Sequence, residues 1–133
     1  MKKIGIFCGG FSSEYDISIK SATTILNNFP DGYDAFLITV TKNKWTALYN
    51  GKEAELDLNT LSFSVDGAPV SIDYGIVYIH GNPGENGKIQ AFLEMKGIPC
   101  VNSGALASEL SFDKWYCNQF LKGLIYQLRS QFS

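Results

Sequence analysis

A short apolar run, Gly75-Ile-Val-Tyr-Ile79, leads into a turn carrying three glycines and a proline, Gly81, Pro83, Gly84 and Gly87. A bounded apolar run of this length reads as a buried strand. After the turn, Ile89, Ala91, Phe92 and Met95 form an apolar stripe at helical spacing. Strand, glycine-rich turn and helix is the unit with which an open α/β sheet places ligands at its carboxyl edge. The turn holds the chain's one histidine, His80, and an acid, Glu85. It is the candidate wall of an active site.

The same unit opens the chain. Lys3 to Cys8 reads as a strand, Gly9-Gly10-Phe-Ser-Ser-Glu14 as a turn, and Ile19, Ala22, Ile25, Leu26 and Phe29 as one face of a helix. Ser13 and Asp16 have the spacing of a capping box. Pro30-Asp-Gly32 ends the helix, and Ala35 to Val40 is a second buried strand. A β-α-β order predicts a parallel sheet with a right-handed crossover. The expected fold class is α/β: a Rossmann-like, open, mostly parallel sheet flanked by helices.

Residues 41–74 break this rhythm. Trp45 to Tyr49 and Lys52 to Leu56 flank Asn50-Gly51, a type I′ hairpin signal. Phe63 and Val65 precede Asp66-Gly67, a second hairpin candidate. The stretch reads as a small antiparallel excursion at the sheet margin, a decoration or an interaction surface. Beyond the second helix and Gly97, Ile98 to Val101 is a short strand and Asn102-Ser-Gly104 a turn. A short helix over 105–110 precedes Ser111-Phe-Asp113, which caps a further helix from Lys114 to about Leu121.

Bulk properties narrow the function. A chain of 133 residues is enough for one domain and buries roughly two-thirds of the surface its unfolded form exposes. A net charge of −2 argues against binding nucleic acid or an anionic membrane non-specifically. With no basic patch, Trp45, Trp115 and Tyr116 read as packing residues rather than base-stacking platforms. Gly9-Gly10, Glu14 and Asp16 interrupt the first apolar run before it reaches signal-peptide length, and no run is long enough to span a membrane. Cys8, Cys100 and Cys117 are scattered, with no C-x-x-C, so reduced thiols in the cytoplasm are expected.

Several residues can carry chemistry. Gly9 and Gly10 allow a backbone to approach a ligand closely, but they are not a dinucleotide fingerprint. Gly81 to Lys88 is not a phosphate loop either: it has one residue too many, and Ile89 stands where a magnesium-binding hydroxyl belongs. Glu14 follows the first strand near a helix start, where a carboxylate is favoured and an incoming ammonium can be received; a solvated or capping acid is the other reading. His80 is either a hydrogen-bonded structural residue or a catalyst oriented by Glu85. Lys114 faces solvent or reaches a phosphate drawn to the same helix end. No residues have metal-ligand spacing.

In order and spacing, Cys8-Gly-Gly-Phe-Ser-Ser-Glu14-Tyr-Asp-Ile-Ser-Ile19, His80-Gly-Asn-Pro-Gly-Glu85-Asn-Gly87, and Asn102-Ser-Gly-Ala-Leu-Ala-Ser108 leading to Ser111-Phe-Asp-Lys114 resemble the N-terminal part of D-alanine–D-alanine ligase, an ATP-grasp family. The resemblance covers residues 2 to about 122. It implies ATP-dependent joining of two D-alanines through an acyl phosphate, for peptidoglycan. It implies that Glu14, His80 and Ile17 contact the first D-alanine and that Lys114 belongs to the ATP site. Gly9, Gly10, Gly81, Glu85 and Gly87 would form the supporting turns. ATP and magnesium (Mg2+) are the family's cofactors, and a homodimer is the expected assembly. Residues 1–122 are then the substrate-binding domain. Residues 123–133 do not read as the family's continuation and are expected to prolong the last helix through Leu121, Leu124, Ile125 and Leu128. With no ATP-grasp part in these residues, the polypeptide by itself is expected to be inactive. The alternative is a stand-alone binding or dimerisation module.

Overall fold

The computed structural model describes residues 2–9, 22–23, 26–27, 29–41, 44–77, 88–102, 119, 122–123 and 125–126. The strands are β1 (Lys2–Gly9), β2 (Tyr33–Val40), β3 (Trp45–Tyr49), β4 (Lys52–Glu55), β5 (Ser62–Val65), β6 (Ala68–Ser71), β7 (Tyr74–Val77) and β8 (Cys100–Asn102), with a helix at Lys88–Met95 between the last two. Helical residues also occur at 22–23, 26–27, 119, 122–123 and 125–126. The fold is α/β, with a mixed six-stranded sheet in the order β4-β3-β2-β1-β7-β8 and a separate two-stranded sheet, β5-β6.

β1 pairs in parallel with both β2 and β7, and β7 pairs in parallel with β8. The hairpin β3-β4 extends the sheet antiparallel from β2. Parallel strands are covered on both faces, so they read as continuous apolar runs. Alternation assigns their side chains to two cores. Ile4, Ile6, Cys8, Leu37 and Ile76 meet Ala22 and Ile125, with Leu26 and Phe29 packed against them. Phe7, Phe36, Ile38, Val40 and Val77 meet Ile89 and Leu93 of the 88–95 helix. Ala22, Leu26 and Phe29 therefore lie on the opposite face of the sheet from the 88–95 helix.

The stripe expected on the second helix needs correction. Ile89 and Leu93 are 2% and 0% exposed, whereas Met95 is 83% exposed and Ala91 also faces water. Ile89 and Leu93 are four apart and share a face with Phe92. Met95 is six from Ile89, which at 3.6 residues per turn puts it ~120° round the helix. Gly97, with φ 78°, then turns the chain into Ile98 and β8.

Both hairpin tips have the expected chemistry. Asn50 and Gly51 have φ of 51° and 81°, and Asp66 and Gly67 have 54° and 81°, the pair of positive values that a type I′ turn requires. The Lys52 ammonium pairs with Asp66, joining the two tips. The excursion is not decoration, however. Leu56, Leu61, Phe63 and Val70 are buried in the core cluster of Phe7 and Phe36, with Trp45 and Tyr49 packed against it. Phe36, Tyr49 and Phe63 make a mutual edge-to-face trio with centroids 5.3–5.8 Å apart. The excursion therefore shares the covering of that face with the 88–95 helix. Leu61 adopts φ 51° while 1% exposed. A left-handed non-glycine residue costs ~1–2 kcal/mol, which burying a leucine, worth ~1.5–3 kcal/mol, offsets.

The described cysteines are core residues. Burial pushes the Cys8 thiol up to about 12, against a smaller opposite pull from a hydrogen bond with Thr39. Burial, with Glu94 nearby, raises Cys100 to about 11. An unfolded thiol ionises near 9, so between about pH 9 and 12 the unfolded chain binds fewer protons than the folded one. Stability contributed by these thiols is therefore present below pH 9 and falls as pH rises through that window. Ellman's reagent at pH 8 should label Cys8 and Cys100 about 100-fold more slowly in the native protein than in denaturant; equal rates would contradict their burial.

Candidate functional site

The register of the parallel strands defines one end of the sheet closely. Phe7 is the Cα partner of both Ile38 and Val77, and Val77 partners Asn102. These four residues form a row across β2, β1, β7 and β8. β1 and β2 run two residues further, to Gly9 and Val40. The carboxyl ends of β1 and β7 therefore lie one strand spacing, ~4.8 Å, apart sideways and ~7 Å apart along the strand. Gly9 has φ 94°, a left-handed value that glycine takes without strain, so the chain turns as it leaves β1.

These two ends form the switch point of the sheet. From β1 the chain winds to β2 on one side; from β7 it winds to β8 on the other. The intervening helical residues pack on opposite faces. Connections that diverge in this way open a crevice above the strand ends, which is where open α/β sheets bind ligands. Of the candidate residues, Gly9 is placed here. Gly10, Glu14, Ile17, His80, Gly81, Glu85, Gly87 and Lys114 lie outside the described residues. The strands feeding the Glu14 and His80 segments are neighbours, parallel and in register.

The amino end of the sheet contrasts with this. The Lys3 amide donates to Asp73 Oδ2 at 2.8 Å, and the Lys3 ammonium lies 3.7 Å from Asp34. The Tyr49 hydroxyl donates to Asp34, and that hydrogen bond raises the Tyr49 pKa. These polar groups satisfy one another and tie β1, β2 and β3 together. Among the described residues, no group of three or more His, Cys, Asp or Glu side chains could hold a metal ion. No described helix is long and apolar enough to cross a membrane.

Two features at the carboxyl end carry no sequence motif. Trp45, paired with Val40, packs edge-on against Phe7 and Phe92 with centroids 5.9 and 5.6 Å away. Beside it, Lys44, Trp45, Glu55, Leu56, Asp57 and Leu58 line an open cleft of about 440 Å³. The short hairpin from β2 brings Trp45 to this end of the sheet, but its ring partners Phe7 and Phe92 are far away in the chain, so no local pattern could have shown them.

Comparison with known proteins adds to this geometry. Residues 3–103 match the family model described as the D-ala D-ala ligase N-terminus. A D-alanine–D-alanine ligase of Porphyromonas gingivalis is 39% identical over 127 residues, covering 92% of this chain and 38% of that protein. The crystal structure of the Aeromonas hydrophila D-alanine–D-alanine ligase superposes with a TM-score of 0.65 at 30% identity, covering 92% of this chain and 46% of the other. That of D-alanyl-alanine synthetase A from Vibrio cholerae gives 0.64 at 34% identity, covering 95% and 37%. The chain thus spans about 38% of the length of the curated relatives it matches. On the extent of the family match, the chain belongs to the D-alanine–D-alanine ligase N-terminus family.

Proposed function

We propose that this chain is the part of a D-alanine–D-alanine ligase that holds the first D-alanine, in a Rossmann-like domain comprising residues 1–122. The observation that carries the reading is the side-by-side placement of the carboxyl ends of β1 and β7 at the point where the winding reverses. Glu14 is five residues beyond Gly9 and His80 three beyond Val77, so the chain allows each ~10–17 Å of reach into one crevice.

In this reading the Glu14 carboxylate receives the ammonium of the first D-alanine through a charge-assisted hydrogen bond. His80 stands toward that substrate's carboxylate, where an imidazole N–H can donate to an oxygen that is gaining a phosphoryl group. Ile17 supplies apolar contact. Gly9, Gly10, Gly81, Glu85 and Gly87 shape the turns, and Lys114 reaches the ATP phosphates. ATP supplies the phosphoryl group that activates the carboxylate, and the amine of a second D-alanine then displaces phosphate to give the peptidoglycan dipeptide. No cluster of three or more His, Cys, Asp or Glu side chains among the described residues is placed to hold a magnesium ion, and no step is assigned to one. The reading includes a cytoplasmic location and a homodimer, the latter checked by sedimentation.

Catalysis of this kind draws most on preorganised charge around the reacting groups. One carboxylate, one imidazole and one ammonium do not clamp a triphosphate. The 133-residue polypeptide with ATP, magnesium and D-alanine should release no phosphate above background; sustained release would overturn that expectation. Binding is tested separately. D-alanine titrated into the labelled protein should move the NMR signals of Glu14 and His80. No movement at saturating amino acid, with the fold and dimer intact, would favour the stand-alone module instead.

A further inference from the structure

We infer that Trp45 is a positioning residue for the first-substrate site, holding together the elements from which the Glu14 and His80 segments depart. Its ring meets Phe7 at 5.9 Å and 74°, and Phe92 at 5.6 Å and 78°. Phe7 lies two residues before Gly9 on β1 and is the register partner of Val77, the last described residue before His80. Phe92 belongs to the helix that begins at Lys88, immediately beyond Gly87. One indole therefore braces the end of β1 and the helix beyond the His80 segment, while its Phe7 contact lies in register with Val77. The main chain that carries the indole is itself held from two sides. Trp45 pairs with Val40, and its carbonyl accepts the Leu56 amide at 2.8 Å. The antiparallel hairpin is thus a buttress for the carboxyl end of the parallel strands.

The inference rests on the proposed ligase reading and goes beyond it. If Trp45 only fills the core, its loss lowers stability and nothing else. If it positions the two segments, its loss also weakens amino-acid binding, because displacements of about 1 Å at a site can cost up to ~100-fold. Trp45→Leu keeps an apolar side chain but removes the ring edges. Trp45→Phe restores an aromatic ring. Val70→Ala, in the same core cluster but on the two-stranded sheet, supplies a destabilised control. D-alanine affinity is measured by calorimetry at a temperature where thermal melts show every variant folded. Amide exchange is followed in parallel over residues 88–95 and over β2.

Trp45→Leu should weaken D-alanine binding about tenfold, with Trp45→Phe within about threefold of the parent and Val70→Ala unchanged. It should also speed exchange in the 88–95 helix relative to β2. Parental affinity in Trp45→Leu, or an equal loss in Val70→Ala, overturns the inference. If the parent protein binds no D-alanine, the ligase reading fails by itself. The exchange data then decide the buttress: selective loosening of the helix supports it, and unchanged exchange refutes it.

Discussion

Replacing Phe7 by alanine should lower the stability of this domain by about 3–5 kcal/mol, a large share of the ~5–15 kcal/mol that holds a typical domain together. Phe7 is fully buried, and its ring lies over two glycines that face each other in register, Gly5 on β1 and Gly75 on β7. A Cβ built on either glycine would come within 3.3 Å of Phe7 Cε1. The glycines leave a trough, and the aromatic ring fills it. Once the ring is gone, neither glycine has a side chain that can move into the space, so the cavity stays open. The converse substitution, Gly75→Ala, places a Cβ 3.1 Å from Leu93 Cδ1 and 3.3 Å from Cys100 Cβ. Overpacking of this kind costs about 1–3 kcal/mol. Guanidinium unfolding should show both losses as a lowered midpoint with an unchanged slope. A loss under about 1 kcal/mol for Phe7→Ala would mean that the ring is not gripped as described.

The features legible in the sequence are those decided locally. Asn50-Gly51 and Asp66-Gly67 announce their turns because positive φ at two successive positions is a demand on those residues alone. β1, β2 and β7 announce themselves because strands covered on both faces are apolar throughout. What depends on a distant partner was not legible. Met95 fits a helical stripe as well as Leu93 does until the sheet shows which face it needs. The excursion reads as marginal until Phe36 meets Tyr49 and Phe63, and Trp45 meets Phe7 and Phe92. The candidate site divides in the same way. Glu14 and His80 stand out through ordered motifs around glycines. Trp45 has no motif, and its importance follows from two ring contacts between residues 38 and 47 positions apart in the chain.

Glu14→Gln should weaken D-alanine binding by on the order of 100-fold while leaving the unfolding midpoint unchanged. Glutamine keeps the length and an acceptor oxygen but removes the charge that an ammonium seeks. A hydrogen bond to a charged group contributes about 1.5–3 kcal/mol, and each 1.4 kcal/mol is tenfold in affinity. The substitution alone does not show which end of the amino acid Glu14 meets. N-acetyl-D-alanine, which lacks the ammonium, resolves that. If Glu14 receives the amine, the acetylated ligand binds the parent weakly and the Gln variant no worse, since the lost charge had no partner on it. If Glu14 instead acts only as a helix cap, both ligands should bind parent and variant alike, and the variant should be less stable by about 0.5–2 kcal/mol, seen as a lowered midpoint. Affinity loss confined to the free amino acid, with stability intact, is the pattern that only an ammonium-binding carboxylate produces.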